Sequence, residues 1–95
     1  EIEYWNESEE SAQVWVKIPT VSAGTDTNFY LYYGNSGASD GQDVENVWDS
    51  NYKGIWHFNE GSGTTAYDDT SNDNDGTLIS GPVWSSAGRF DYCLD

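Results

Sequence analysis

The chain is short, strongly acidic and nearly free of cysteine. Its 95 residues hold 17 Asp and Glu against 3 Lys and Arg, a formal net charge of −14. This excludes nucleic-acid partners, because phosphate recognition needs clustered basic residues, and no apolar run approaches the roughly 20 residues needed for membrane insertion. Cys93 is the single cysteine, so no internal disulfide can form, and we expect an ion or a partner to support so small a fold.

The aromatic content predicts a folded chain in spite of the acidity. Disordered chains are poor in aromatic residues, whereas 16% of this chain is Phe, Trp or Tyr. A domain of this size still buries only about 60–65% of its unfolded surface, so we expect a thin core. Abundant Asn, Gly, Ser and Thr with scarce Lys are typical of exported proteins, and we predict an extracellular, cell-surface location.

The first half predicts β-strands with no helical periodicity. Residues 1–5 form an edge-like strand with Ile2 inward, and residues 12–18 alternate in period two and end before Pro19, which cannot donate to a ladder. Residues 29–33 are a strongly β-prone run. The segments 12–18 and 29–33 therefore predict an antiparallel pair.

The second half predicts further short strands after an acidic connection at residues 34–50. The strand segments are 54–59, 76–79, 83–84 and 89–95, and a polar loop occupies 64–75. The fold class is therefore all-β, an antiparallel β-sandwich or jelly-roll-like fold. Because the chain starts and stops inside strands, we expect the fold to be incomplete without flanking sequence or a partner chain.

Two resemblances cover nearly the whole chain. The words V-W-V-K-I-P, F-Y-L-Y-Y-G-N and V-W-D-S-N-Y, the last at 47–52, resemble the end of the DUF2341 family, β-rich domains of prokaryotic surface proteins. The words W-H-F-N-E-G-S-G-T-T-A-Y-D, S-N-D-N-D-G-T-L and A-G-R-F-D-Y-C-L-D resemble the opening of a concanavalin A-like, laminin-G-type jelly roll. They imply two incomplete units, residues 1–50 and 51–95, in an adhesive or glycan-recognising architecture.

A loop rich in Asp and Asn at residues 68–76 is the candidate metal site. Calcium prefers six to eight oxygen ligands on a tightly turned loop. The second resemblance implies such an ion nearby, and the candidate calcium ligands are Asp68, Asp69, Asn72, Asp73 and Asp75. The loop is not a complete EF-hand, because Pro82 stands where the bidentate glutamate belongs. The alternative is a solvated turn, since Asp and Asn favour turns without any metal.

The remaining chemistry-bearing residues point to binding and away from catalysis. His57 and Cys93 are each the single residue of their type, so neither has the partners of a zinc site or a nucleophile, and both are expected to pack structurally. Trp15, Trp48 and Trp84 are candidates for stacking on sugar rings, although burial is the commoner fate of tryptophan.

The sequence therefore predicts a non-catalytic, calcium-stabilised structural or adhesive module of a prokaryotic cell-surface protein. One alternative is a subunit of an extracellular filament or oligomer, assembled by strand exchange with copies of itself or with flanking domains, because unpaired edges invite strand addition. The other alternative is a carbohydrate-binding module of a secreted glycan-active enzyme.

Overall fold

The fold is built almost entirely from short antiparallel strand pairs. The computed structural model describes residues 1–95. Its elements are β1 (Ile2–Asn6), β2 (Ser11–Val14), α1 (Val44–Val47), β3 (Thr65–Ala66), β4 (Gly76–Thr77), β5 (Trp84–Ser85) and β6 (Cys93–Leu94). The strands form three separate two-stranded ribbons, β1–β2, β3–β4 and β5–β6. The prediction of an all-β fold is confirmed.

The β1–β2 hairpin replaces the predicted pairing of residues 12–18 with residues 29–33, which was wrong. Asn6 ends β1, and its Oδ1 accepts hydrogen bonds from the backbone N–H groups of Ser8 and Glu9 at 3.0 and 3.1 Å. Asparagine favours turns because its side chain replaces a backbone acceptor in this way. This local turn reverses the chain and pairs β2 with β1.

The buried face of β1 is the acidic face, contrary to the prediction. Ile2 was expected to point inward but is 44% exposed, whereas the side chains of Glu1 and Glu3 are only 6% and 13% exposed. Burial of a carboxylate is tolerated when it meets hydrogen-bond donors or opposite charge. The choice of inner face was wrong because it depends on partners elsewhere in the chain, and an irregularity in the pairing between Ile2 and Tyr4 interrupts the period-two alternation.

Two segments that were predicted as strands, 29–33 and 54–59, form no ladder. In the second segment Phe58 has a φ of 57°, a left-handed conformation that interrupts an extended run. Ile55 instead donates its N–H to Asp68 Oδ1 and accepts the N–H of Asp69, both at 2.9 Å. One side-chain bond and one backbone bond therefore position this segment in place of a sheet.

The acidic connection at residues 34–50 contains the single helical turn α1. The carbonyl of Asp43 accepts the N–H of Val47 at 3.1 Å, and its Oδ1 accepts the side-chain amide of Asn46 at 2.8 Å. One turn is too short to leave a periodic pattern in the sequence. The turn places the next residue, Trp48, beside Glu1, to which its indole N–H donates a hydrogen bond. No helix here is long and apolar enough to cross a bilayer.

The chain buries very little of itself. Ala66, Asp68 and Thr70 are its buried residues, and none is a large apolar side chain. The accessible surface is 7550 Å², roughly 2,000 Å² more than a closed monomer of this mass exposes. The radius of gyration is 16.0 Å, whereas a compact domain of this length has about 12 Å. Polar contacts must therefore supply much of the stability that an apolar core supplies in other domains.

Candidate functional site

Asp68 organises the loop of residues 67–75 between β3 and β4, called here the Asp68 loop. Its Oδ1 accepts hydrogen bonds from the N–H groups of Ile55 and Thr70 at 2.9 and 3.0 Å. Its Oδ2 accepts bonds from Thr70 Oγ1 and the N–H of Asn74 at 3.0 and 2.9 Å. Its own N–H donates to Asp75 Oδ1 at 2.9 Å. A buried carboxylate with four donors has its charge fully solvated by the protein.

These hydrogen bonds set the charge state of Asp68. Burial by itself raises the pKa of the carboxyl group, but the N–H groups of Ile55, Thr70 and Asn74 and the Thr70 hydroxyl stabilise the ionised form more strongly. The net result is a pKa lowered to about 2, as expected for a carboxylate that accepts several backbone hydrogen bonds. Asp68 is therefore ionised at neutral pH.

The five predicted calcium ligands have different surroundings in the structure. Asp68 and Asp75 accept hydrogen bonds within the loop, and Asn72 donates its side-chain amide there. Asp73 is exposed with a φ of 51°, and Asp69 belongs to another cluster. The loop is closed by its own hydrogen bonds, and an ion at Asp68 would have to displace donors. Calcium in this loop stays a prediction.

A second polar cluster surrounds the imidazole of His57. Its Nε2 lies 2.8 Å from Glu1 Oε1 and 3.5 Å from Asp69 Oδ2, and its Nδ1 lies 3.2 Å from Glu3 Oε1. The histidine side chain is only 8% exposed. One ligand-type atom from each of Glu1, His57 and Asp69 lies within 4.8 Å of the other two. These four residues, Glu1, Glu3, His57 and Asp69, are called the His57 cluster.

The backbone brings the His57 cluster together from three places in the chain. The side chains of Glu1 and Glu3 lie on the same side of the hairpin, since side chains two residues apart on an extended chain share a face. The carbonyl of Glu1 accepts the N–H of Trp15 at 2.9 Å, which fixes the start of the hairpin. The bond from the N–H of Asp69 to the carbonyl of Ile55, also 2.9 Å, aligns the segment that carries the histidine with the Asp68 loop.

Two tryptophans pack over the His57 cluster. Trp15 Nε1 donates to Glu3 Oε2 at 2.7 Å, and Trp48 Nε1 donates to Glu1 Oε2 at 2.8 Å. Their ring centroids are 5.1 Å apart and lie 6.3 and 6.1 Å from the imidazole. Both indoles therefore hold carboxylates in place and shield the histidine from water.

The three predicted sugar-stacking tryptophans do not form one platform. Trp15 and Trp48 meet at the His57 cluster, whereas Trp84 belongs to the β5–β6 ribbon and donates its Nε1 to the carbonyl of Gly63 at 2.9 Å. All three indole N–H groups thus donate hydrogen bonds within the chain, so only the faces of the rings could contact an external ligand.

A groove that the sequence did not predict lies beside the turn of the β1–β2 hairpin. Its volume is about 660 Å³. Apolar side chains of Trp5, Leu31 and Tyr33 line it together with the acidic Glu7 and Glu10. Aromatic rings next to hydrogen-bond acceptors in a concave surface are the groups that a polar ring-shaped ligand requires.

The His57 cluster carries more negative charge than its partners neutralise. The pKa of Asp69 is raised to about 6, first by burial and next by the Glu1 charge, with smaller contributions from a Glu1 hydrogen bond and from Glu60; the His57 charge opposes them. Glu1 Oε1 lies 2.8 Å from His57 Nε2 but out of line for an N–H···O hydrogen bond, so this buried nitrogen makes none, and neither does Oε2 of Glu60. Buried polar atoms without partners are uncommon and call for an explanation.

The sequence singles out Asp69, as a candidate calcium ligand, but does not predict that Glu1, Glu3 and His57 gather around it. The histidine is predicted to be structural because no second histidine or neighbouring cysteine accompanies it. The E-x-E alternation at the start of the chain was the one local indication, since it places two carboxylates on one face. No sequence pattern brings residue 1 to residues 57 and 69.

The comparison with protein families gives one match. The family model described as a domain of unknown function, DUF2341, matches residues 1–86. The match continues past residue 50, where the first predicted unit ends, and the jelly-roll unit over residues 51–95 stays a prediction. No curated protein and no solved structure matches the chain significantly. Since the match spans most of its length, the chain belongs to the DUF2341 family.

Proposed function

We propose that the chain is a non-catalytic structural or adhesive module of a prokaryotic cell-surface protein, which works outside the cell by adding β-structure to a neighbour. In this proposal residues 51–95 open a concanavalin A-like jelly roll that flanking sequence or a partner completes. The acidic surface and the all-β architecture support it. The observation that carries it is the segment 29–33.

The segment 29–33 is an apolar β-prone run without a partner strand. Its five side chains are between 61% and 89% exposed. None of its backbone groups takes part in a backbone–backbone hydrogen bond. Aromatic side chains of this kind carry roughly 150–250 Å² each, so the two tyrosines on one face of the run alone present a patch within the 300–600 Å² of the largest apolar patch on a typical monomer. Such a patch marks an interaction surface.

Strand addition is the mode of association that this segment supports best. A neighbouring edge would satisfy its N–H and C=O groups, and period-two alternation would place Tyr30 and Tyr32 on one face with Leu31 on the other. The neighbour is a flanking domain or a second copy of the chain. If copies supply it, repetition of the same contact builds an oligomer or filament.

Light scattering combined with amide exchange tests the proposal. We expect the molar mass to rise with concentration and the amides of 29–33 to gain protection in parallel. Tyr32→Asp should reduce the association, and Leu31→Pro should abolish it because proline removes a ladder donor. Val21→Asp is the matched control, since Val21 is 73% exposed but lies outside the run. A monomer at every concentration, with amides of 29–33 always unprotected, would refute assembly through copies.

Glycan binding is a second candidate function, and the groove at Trp5 favours it. Sugar rings stack on aromatic faces while their hydroxyls bond to acceptors such as Glu7 and Glu10. Trp5→Ala should abolish binding on a glycan array, whereas Trp84→Ala should leave it intact. Loss with Trp84→Ala alone would place the sugar at the residue that the sequence predicted.

Calcium belongs to the proposal on the strength of the sequence. Of the predicted ligands, Asn72, Asp73 and Asp75 each keep a side-chain oxygen that accepts no hydrogen bond within the chain, and these would supply ligands together with water. The test is thermal unfolding with calcium and with EDTA. Calcium at this loop should raise the melting temperature, and Asp73→Asn should reduce that rise. A melting temperature that is the same with calcium and with EDTA would exclude calcium from the proposal.

A further inference from the structure

We propose that Glu1, His57 and Asp69 bind a divalent transition-metal ion, for which Zn²⁺ is the best fit, and that Glu3 orients the histidine for it. The proposal is independent of the calcium prediction and of the module's function. It concerns an imidazole nitrogen and two carboxylates that converge from the residue before β1, from the segment 54–59 and from the Asp68 loop.

The spacing of the three side chains suits a small tetrahedral ion. Two ligands that each lie about 2.0–2.1 Å from zinc are separated by about 3.3 Å in tetrahedral geometry. His57 Nε2 lies 2.8 Å from Glu1 Oε1 and 3.5 Å from Asp69 Oδ2, on either side of that value. Small side-chain adjustments would place all three at bonding distance, and water would complete the shell.

The Nε2 atom of His57 is the independent indication of a ligand. The side chain is more than nine-tenths buried, and its Nε2 faces two carboxylates without making a hydrogen bond to either. A protein rarely leaves such an atom unsatisfied. A metal ion between the nitrogen and the carboxylates would use its lone pair and explain why it is aimed there.

The groups around the three ligands are those that a metal site needs. Glu3 Oε1 lies 3.2 Å from His57 Nδ1, so a proton on Nδ1 leaves the lone pair on Nε2, as in the carboxylate–histidine–metal arrangement. Trp48 holds Oε2 of Glu1, which leaves Oε1 for the ion. Trp15 holds the other oxygen of Glu3.

The charge of the cluster favours a cation, and the donor set favours zinc over calcium. Three carboxylates, those of Glu1, Glu3 and Asp69, lie within 2.8–3.5 Å of one imidazole, and a bound cation would offset their mutual repulsion. Imidazole suits zinc, whereas calcium prefers oxygen ligands alone. The ion would join β1 to the second half of the chain, where few apolar contacts do so.

The single histidine of the chain makes a direct test possible. We would strip the full-length chain with EDTA, titrate ZnCl₂ by calorimetry, and follow the imidazole ¹⁵N resonances, which belong to His57 alone. We expect one zinc ion per chain, a shift of Nε2 to a metal-bound position, and an Nδ1 that stays protonated. Absence of binding, or binding that leaves Nε2 unchanged, would overturn the proposal, as would equal affinity for CaCl₂.

Matched variants separate this site from other acidic groups and from the thiol. Asp69→Asn should abolish the stoichiometric binding, and its side chain is 31% exposed, so the fold should tolerate the change. Glu3→Gln should weaken binding by about 10- to 100-fold, as loss of an orienting carboxylate does. Asp73→Asn and Cys93→Ser should bind zinc as the unmodified chain does. Unaltered binding by a folded Asp69→Asn variant, checked by circular dichroism, would sink the proposal.

Discussion

Replacement of Asp68 by asparagine should destabilise the chain more than any other Asp→Asn change in the same loop. The carboxylate accepts four hydrogen bonds, and an amide can keep only those on one oxygen. If the amide oxygen faces Ile55 and the N–H of Thr70, its NH₂ group faces two donors. The Thr70 hydroxyl can rotate and accept, but the N–H of Asn74 cannot.

The magnitude follows from this loss. A buried donor left without a partner costs about 1–3 kcal/mol, and each remaining bond loses the extra strength that the ionised acceptor gave it. We therefore expect Asp68→Asn to lower the free energy of unfolding by about 2–4 kcal/mol. For a chain of this size that corresponds to a melting temperature at least about 8 °C lower.

The control is Asp73→Asn in the same loop. Asp73 is exposed, and its left-handed backbone suits asparagine equally well, so this change should alter stability by less than about 0.5 kcal/mol. Thermal unfolding in EDTA gives the comparison, and amide exchange localises it, with the greatest loss of protection at Asn74. Equal melting temperatures for the two variants would show that the Asp68 hydrogen bonds do not hold the loop.

Two further predictions concern pH and backbone conformation. The pKa of Asp69 is raised from its ordinary 3.8 to about 6, so the folded state binds this proton more tightly and stability should rise as pH falls from about 7 to 4; Asp69→Asn should flatten that part of the melting-temperature profile. Below about pH 4 stability should fall again with falling pH. The pKa of Asp68 is lowered to about 2 in the folded chain, so the unfolded chain takes up that proton first. Gly61→Ala should cost more stability than Gly63→Ala by chemical denaturation, since both have positive φ but only a Cβ at Gly61 meets the ring of Tyr92, at 2.7 Å; equal costs would show that the ring moves aside.

The part of the fold that the sequence predicted is the part that local chemistry determines. Period-two alternation, frequent turn residues and missing helical periodicity give an all-β chain, and the oxygen-rich stretch at 68–76 is indeed a tightly hydrogen-bonded turn. The pairing of residues 12–18 with 29–33 failed for a local reason as well. The Asn6 turn makes a nearer pairing available to β2, and closing a short loop costs less entropy than closing a long one.

The His57 cluster lay beyond prediction because it depends on contacts between distant residues. Whether Glu1 is buried or exposed is decided by Trp48 and His57, and neither is near it in sequence. The usual assumption that isoleucine faces inward fails on β1 because the donors of two indoles and an imidazole lie on the other side. Hydrophobic patterning predicts the buried face of a strand correctly only where an apolar core packs against that strand.

The chain therefore depends on buried charge to an extent unusual for so small a fold. Asp68 and Asp69 are neighbours whose pKa values are displaced in opposite directions, because one meets four donors and the other meets carboxylates. Burial disfavours the charged form of both carboxyl groups, so the opposite directions of their pKa shifts come from their different partners. The Asp68 carboxylate is already satisfied by four hydrogen-bond donors of the chain, and it therefore has little to offer an ion. The His57 cluster gathers three carboxylates around one imidazole, and a cation bound there would offset their repulsion and add to stability.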